Sequence, residues 1–194
     1  MMLRRLGWLL AAWLAFAAGG VALARSAPPV QPAKGTVQAA FTPDDDIEGL
    51  LADAIDQARE QVLVQAYLLS NKAITRALLA AHQRGVDVRV LADREQMTRS
   101  GGSRVPEVAN AGIPVWLEVR YKNAHNKVIV IDPRGAHPVL VTGSFNFTQT
   151  AQRGNAENVL IVRGDADLAQ RYAANWQKHA GDALPYRAQQ PAAQ

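Results

Sequence analysis

At 194 residues, 48% of them hydrophobic and 20% charged, the chain has the length for one domain with its own core plus short additions. It contains no cysteine, which excludes disulfides, thiolate zinc sites, cysteine nucleophiles and a lipid-modified N-terminal cysteine. The net charge of +4 is unevenly spread, with −4 on residues 25–61 and +6 on residues 62–194.

Residues 1–24 read as a secretory signal: Arg4 and Arg5, an apolar run from Leu6, and Ala22-Leu23-Ala24 as a cleavage end. The protein is therefore expected to be periplasmic or secreted. If retained, the apolar run is almost long enough to span a bilayer, so a membrane is a partner only with an uncleaved leader. Residues 25–35, with the Pro-rich SAPPVQPAK, form an extended linker.

From Thr36 the pattern alternates between two periods. Thr36–Phe41 reads as a first strand, and Pro43 with Asp44–Asp46 opens a helix whose stripe is Ile47, Leu50, Leu51, Ala54, Ile55 and Ala58. Val62–Leu69 is a strand and Asn71–Arg84 a helix ended by Gly85, with His82 on its surface near the C-terminus. Val86–Asp93 is the next strand. A Gly-Ser loop, a short helix ending at Gly112 and a strand over Ile113–Val119 follow. After the central motif, Asp165–Ala180 forms a last helix with Leu168, Tyr172 and Trp176 on its core side and His179 exposed. Residues 183–194 read as a frayed tail. Strands alternating with helices, joined by connections long enough for crossovers, predict an α/β domain over residues 36–182. Its central sheet should be mostly parallel and flanked by helices on both faces.

The chemistry concentrates in HNKVIVID, His125–Asp132. Alternate residues of a strand share a face, so His125 and Lys127 project with Ile129 and Ile131 while Val128 and Val130 cover the other side. Such a strand is buried on both faces. An imidazole and an ammonium at its start are costly to bury without a partner, and a phosphate would supply one. VLVTGSFNFT then brings Ser144 and Asn146 on a Gly-Ser turn, short side chains suited to phosphate oxygens. Glu157 follows at the head of another apolar strand, where a carboxylate can hold an imidazole in one orientation. Arg94, Arg99, Arg104, Arg120 and Lys122 lead up to the motif and suit a polyanionic substrate.

HxKxxxxD, then GSxN, then a glutamate about ten residues on, resembles the signature of the phospholipase D superfamily. Length, the single copy and the leader resemble its small Nuc-type bacterial endonucleases. The resemblance implies hydrolysis of phosphodiesters through a covalent phosphohistidine, with no metal and no other cofactor. Two facing HxK motifs are needed, and one chain holds one, so it also implies a homodimer through the motif face. His125 would be nucleophile in one copy and general acid in the other. Lys127, Ser144 and Asn146 would bind the phosphoryl group, and Glu157 would hold the imidazole. Asp132 belongs to the catalytic motif by resemblance, yet its parity places it on the face opposite His125, where it would brace nearby backbone. The link from Asp132 to Gly143 is longer than usual for the family, which makes His137 a hairpin residue. The expected substrate is nucleic acid, DNA first and RNA second. The alternatives are a lipid phosphodiesterase, against which the polar and basic loops RYKNA and TQTAQRGN speak, and a nucleic-acid-binding accessory of a secretion or DNA-transfer system.

Overall fold

The computed structural model describes residues 27–99 and 101–188, so the leader expected at residues 1–24 and the end of the tail lie outside the described residues. The elements are β1 (Thr36–Phe41), α1 (Ile47–Asp56), β2 (Gln61–Ala66), α2 (Lys72–Gln83), β3 (Asp87–Asp93), α3 (Arg94–Arg99) and α4 (Val105–Asn110). They continue with β4 (Val115–Glu118), β5 (Lys127–Ile131), β6 (Val139–Gly143), α5 (Gln149–Arg153), β7 (Asn158–Arg163), α6 (Ala166–Asp182) and β8 (Leu184–Tyr186). All eight strands form one sheet in the order β1-β7-β6-β5-β2-β3-β4-β8.

The three longest helices begin where side chains can satisfy their free amides. Asp46 accepts from Gly49 N (3.0 Å) to open α1, Asn71 from Ala73 N and Ile74 N (2.9 and 3.1 Å) to open α2, and Asp165 from Leu168 N (3.0 Å) to open α6. Past the end of α2, Gly85 turns the chain at φ +88°, in the left-handed region that favours glycine.

The α/β class and the helices on both faces are as expected, but the strand directions are not. Only β2–β3 and β3–β4 run parallel; β1–β7, β7–β6, β6–β5, β5–β2 and β4–β8 are antiparallel. The two parallel pairs are the ones bridged by helices, α2 in the first and α3 with α4 in the second, as a crossover requires. Beyond β4 the chain enters the middle of the sheet beside β2 and then meanders outward. Leu184–Tyr186, read as frayed tail, instead pairs with β4, giving that strand a covering partner. Met97–Arg99, read as the start of the Gly-Ser loop, instead ends the helix Arg94–Arg99, with Asp93 Oδ1 accepting from Gln96 N (2.9 Å).

Two cores sandwich the sheet. Ile129, Ile131 and Val141 face α1 and α2 with Ile47, Leu51, Ile74 and Leu78. Val128, Val130, Leu63 and Leu91 face α6, where Ala169, Ala173 and Trp176 are buried and Leu168 and Tyr172 flank them half-buried. Trp176 Nε1 donates to Val64 O (2.8 Å), and Trp116 meets its ring edge-on at 5.7 Å, a packing role rather than a surface one. Every residue of β5 is buried, so the strand carrying the motif is the spine between both cores.

Candidate active site

One end of the sheet collects the start of β5, the ends of β2, β3 and β6, and the start of β7. Lys127 opens β5 opposite Ala66 and is 6% exposed, its stem in the core and its ammonium at the rim. His125, two residues earlier, stands outside the sheet and is exposed. Lys127 Nζ donates to His125 O (3.1 Å) and lies 2.9 Å from Nδ1 and 3.1 Å from Nε2 of its ring. The loop between β4 and β5 is held by buried Asp93, whose Oδ2 accepts from Ala124 N (2.8 Å).

Across from this pair, β6 ends in Gly143 and turns sharply. A Cβ on Gly143 would stand 2.2 Å from Asn158 O, so only glycine lets β6 approach β7 here. The turn presents Ser144, whose hydroxyl donates to Glu157 Oε2 (2.6 Å) and accepts from Asn158 N (3.1 Å). Asn146 follows, its buried Oδ1 without a hydrogen-bond partner among the described residues. Turned over, the same amide offers its NH2 to an anion.

Electrostatics divide the roles of the central pair. Burial, and then the Lys127 charge, push the His125 imidazole below its ordinary value, with Asp93 pulling the other way. Burial lowers the Lys127 ammonium to about 8, with Glu157 opposing. The shift favours the neutral His125 imidazole, whose lone pair lies within reach of the Lys127 ammonium, and that ammonium gains by meeting an anion.

One expected placement differs. Glu157 does not reach the imidazole of its own chain: its carboxylate is taken by Ser144 and by Asn155 Nδ2 (2.8 Å). Asp132, expected to brace backbone away from His125, lies at the far end of β5, roughly 16 Å away at the usual strand rise. There its carboxylate accepts from the backbone amides of Arg59, Glu60 and Gln61 (2.9, 2.8 and 2.8 Å) and its own φ is +46°. His137 lines a concavity of about 780 Å³ at that same far end, with Arg59, Asp132 and Arg163. The basic approach is thinner than charge counting implied. Arg99 pairs with Glu95 (3.2 Å), Arg104 with Glu107 and Arg120 with Asp182, leaving exposed Arg94 and Lys122 without an ion pair among the described residues.

Residues 51–180 match the family model described as cardiolipin synthase, PLD-like domain. The chain is 41% identical over 146 residues to a phospholipase D of Rickettsia bellii, covering 75% of this chain and 70% of that one. It belongs to the phospholipase D superfamily. With that membership goes hydrolysis of phosphodiester bonds. A human mitochondrial cardiolipin hydrolase is 36% identical over 115 residues, 59% of this chain and 44% of its own. Among solved structures, the phospholipase D family member Nuc from Salmonella typhimurium superposes with a TM-score of 0.72 at 32% identity, covering 78% of this chain and 98% of that one.

Within this phospholipase D fold, sequence reasoning missed Tyr67. The aromatic ring follows the last residue of β2 and packs on His125, centroids 4.3 Å apart and planes at 57°, with Lys127 Nζ 4.9 Å from its centroid. Its hydroxyl lies 3.5 Å from Asn123 Oδ1. The signal was present in VLVQAYLL, but the run reads as one strand, whereas β2 stops at Ala66 and frees the tyrosine to turn over the site. The ring, not Glu157, orients the imidazole in this chain. Tyr67→Phe should therefore keep phosphodiesterase turnover within about threefold, and Tyr67→Ala should lower kcat by roughly 10- to 100-fold with little change in KM. Equal kinetics for the alanine variant and wild type would remove Tyr67 from the site.

Proposed function

We propose that the protein is an exported, metal-independent endonuclease that cleaves DNA, with RNA as a second substrate, in a site shared by two copies of the chain. The observation that carries this reading is the incomplete site. Displacement at phosphorus needs a nucleophile on one side and a proton donor on the other. Among the described residues, one imidazole, that of His125, stands beside the buried Lys127 ammonium, while His179, the other at this end of the sheet, is tied to Glu118.

In the dimer, a ring nitrogen of His125 attacks phosphorus. The P–O bond to the leaving group breaks as the protonated His125 of the second copy gives its proton to the departing oxygen. That second imidazole then takes a proton from water, whose oxygen attacks phosphorus and breaks the P–N bond. Lys127, Ser144 and Asn146 bind the phosphoryl oxygens and stabilise the charge that gathers there. Glu157, which serves no imidazole in its own chain, is available to that of the second copy.

The rim supports a second copy. Val37, Phe41 and Leu160 lie on one face of the β1–β7 pair and are exposed, Phe41 by 57% and opposite Asn158 at the site end. α6 packs on β2 to β6 and leaves these apolar side chains uncovered, a patch for a partner to bury. Phe41→Glu is expected to sediment as a monomer and to lose at least about 90% of activity at concentrations where wild type is a dimer. A fully active monomer would overturn the shared site.

The names of the relatives favour a lipid phosphodiester as the second reading, whereas exposed Arg94 and Lys122 and the polar loops beside the motif favour nucleic acid. Plasmid nicking set against turnover of cardiolipin and phosphatidylcholine liposomes decides between them; turnover of liposomes alone would sink the nuclease. Export rests on residues 1–24. The periplasmic protein should begin at Arg25, and an N-terminus still at Met1 in the membrane fraction would make the leader an anchor.

A further inference from the structure

The loop that delivers His125 also carries an aromatic ring that the reaction above does not use. Tyr121 is 44% exposed, and its ring lies on the imidazole of His179, centroids 5.2 Å apart and planes at 26°. His179, which its place on α6 suggested was a surface residue, is itself fixed. Its side chain is largely buried, and its Nδ1 donates to Oε1 of Glu118, a carboxylate 3% exposed. Glu118 closes β4 in register with Asp93 of β3, the residue that holds the Ala124 amide beside His125. Arg120 pairs with Asp182 and ties the start of the loop to the end of α6. Tyr121 is thus backed on one face by a held imidazole and remains 44% exposed. Exposed Lys122 adjoins it in the chain, and exposed Arg94 follows Asp93 at the same end of the sheet.

We propose that the Tyr121–His179 stack is a platform for an unpaired nucleobase, next to the phosphodiester held at His125. This rests on the nuclease reading and deepens it, making the preferred substrate single-stranded. Tyr121 and His125 are four residues apart, at most about 14 Å of chain and so within the span of a few nucleotides. A duplex keeps its base faces stacked inside, and a lipid headgroup has no base face, choline alone meeting an aromatic ring through its charge; an unpaired base is the match for a flat ring beside a phosphodiester site. Stacking on an aromatic ring accepts every base and gives affinity without sequence preference.

Binding tests this apart from cleavage. In a His125→Ala background, which leaves the strand uncut, a fluorescein-labelled twelve-residue oligothymidylate and an abasic strand of the same length are titrated by anisotropy. Adding Tyr121→Ala should weaken the oligothymidylate at least about fivefold and leave the abasic strand unchanged. Tyr121→Phe, which keeps the ring, should bind both as the parent does. Thermal midpoints of the variants show that they remain folded. Equal oligothymidylate binding with and without the ring, an equal loss on the abasic strand, or no binding by the folded parent would each overturn the platform. A ring-dependent, base-dependent affinity in a protein whose wild type cuts neither plasmid nor the oligothymidylate would keep the platform and sink the nuclease.

Discussion

Plasmid cleavage in excess EDTA should persist for residues 25–194 and fall by roughly 10³-fold or more in His125→Ala. The size of the effect follows from the number of roles the imidazole fills. In a two-copy site the substitution removes nucleophile and general acid together, so nothing remains to share the work. A residue that only bound substrate would raise KM and leave kcat largely in place. Retention of cleavage by the variant would mean that another group attacks phosphorus. Loss of wild-type activity to EDTA would place a metal in the mechanism.

Lys127→Met should be at least as stable as wild type at pH 7, by on the order of 2 kcal/mol, and inactive. The Lys127 ammonium is buried and lowered to about 8, below the ordinary lysine value of 10.5. Between those two values the unfolded chain binds more protons than the folded one, so stability from this group rises with pH across the window. Below about pH 8 that contribution is absent, and the buried charge is simply costly. Methionine keeps the apolar stem and removes the charge. At pH 7 its unfolding midpoint should lie roughly 4–8 °C above wild type, and the gap should close as pH approaches 10. Urea or thermal unfolding across pH 6–10 measures it. A variant less stable than wild type at pH 7 would show that Glu157 and neighbouring groups already compensate the ammonium. The site is thus expected to be a place where the fold gives up stability so that an anion can recover it on binding.

Much of this was legible locally. Alternation in KVIVI put Ile129 and Ile131 on one core and Val128 and Val130 on the other, because side-chain parity is fixed by the pleat itself. Asp46, Asn71 and Gly85 marked helix ends for equally local reasons. What failed to show was long-range. Strand direction depends on which partner a strand meets, and nothing within β5 says that it slots beside β2 rather than after β4. Leu184–Tyr186 looks like tail until β4 supplies an edge. His179 looks exposed on a helix surface until Glu118, more than sixty residues earlier, is seen beneath it. Glu157 had the right chemistry for an imidazole but a nearer hydroxyl in Ser144. Tyr67 was hidden by an apolar run that continues past the point where pairing stops.

The three amides gathered by Asp132 explain why a motif of phosphate chemistry extends to a residue that never meets phosphate. β5 is pegged at that end to the turn leading into β2, and the peg sets which residue of β5 sits opposite Ala66. In the strand as it stands, that residue is Lys127. A slip of one position would swap Lys127 with Val128, sending the ammonium under α6 and a valine to the rim. The spacing from His125 to Asp132 therefore works as a ruler, measuring the strand from its clamped end so that the reactive pair always emerges on the correct side.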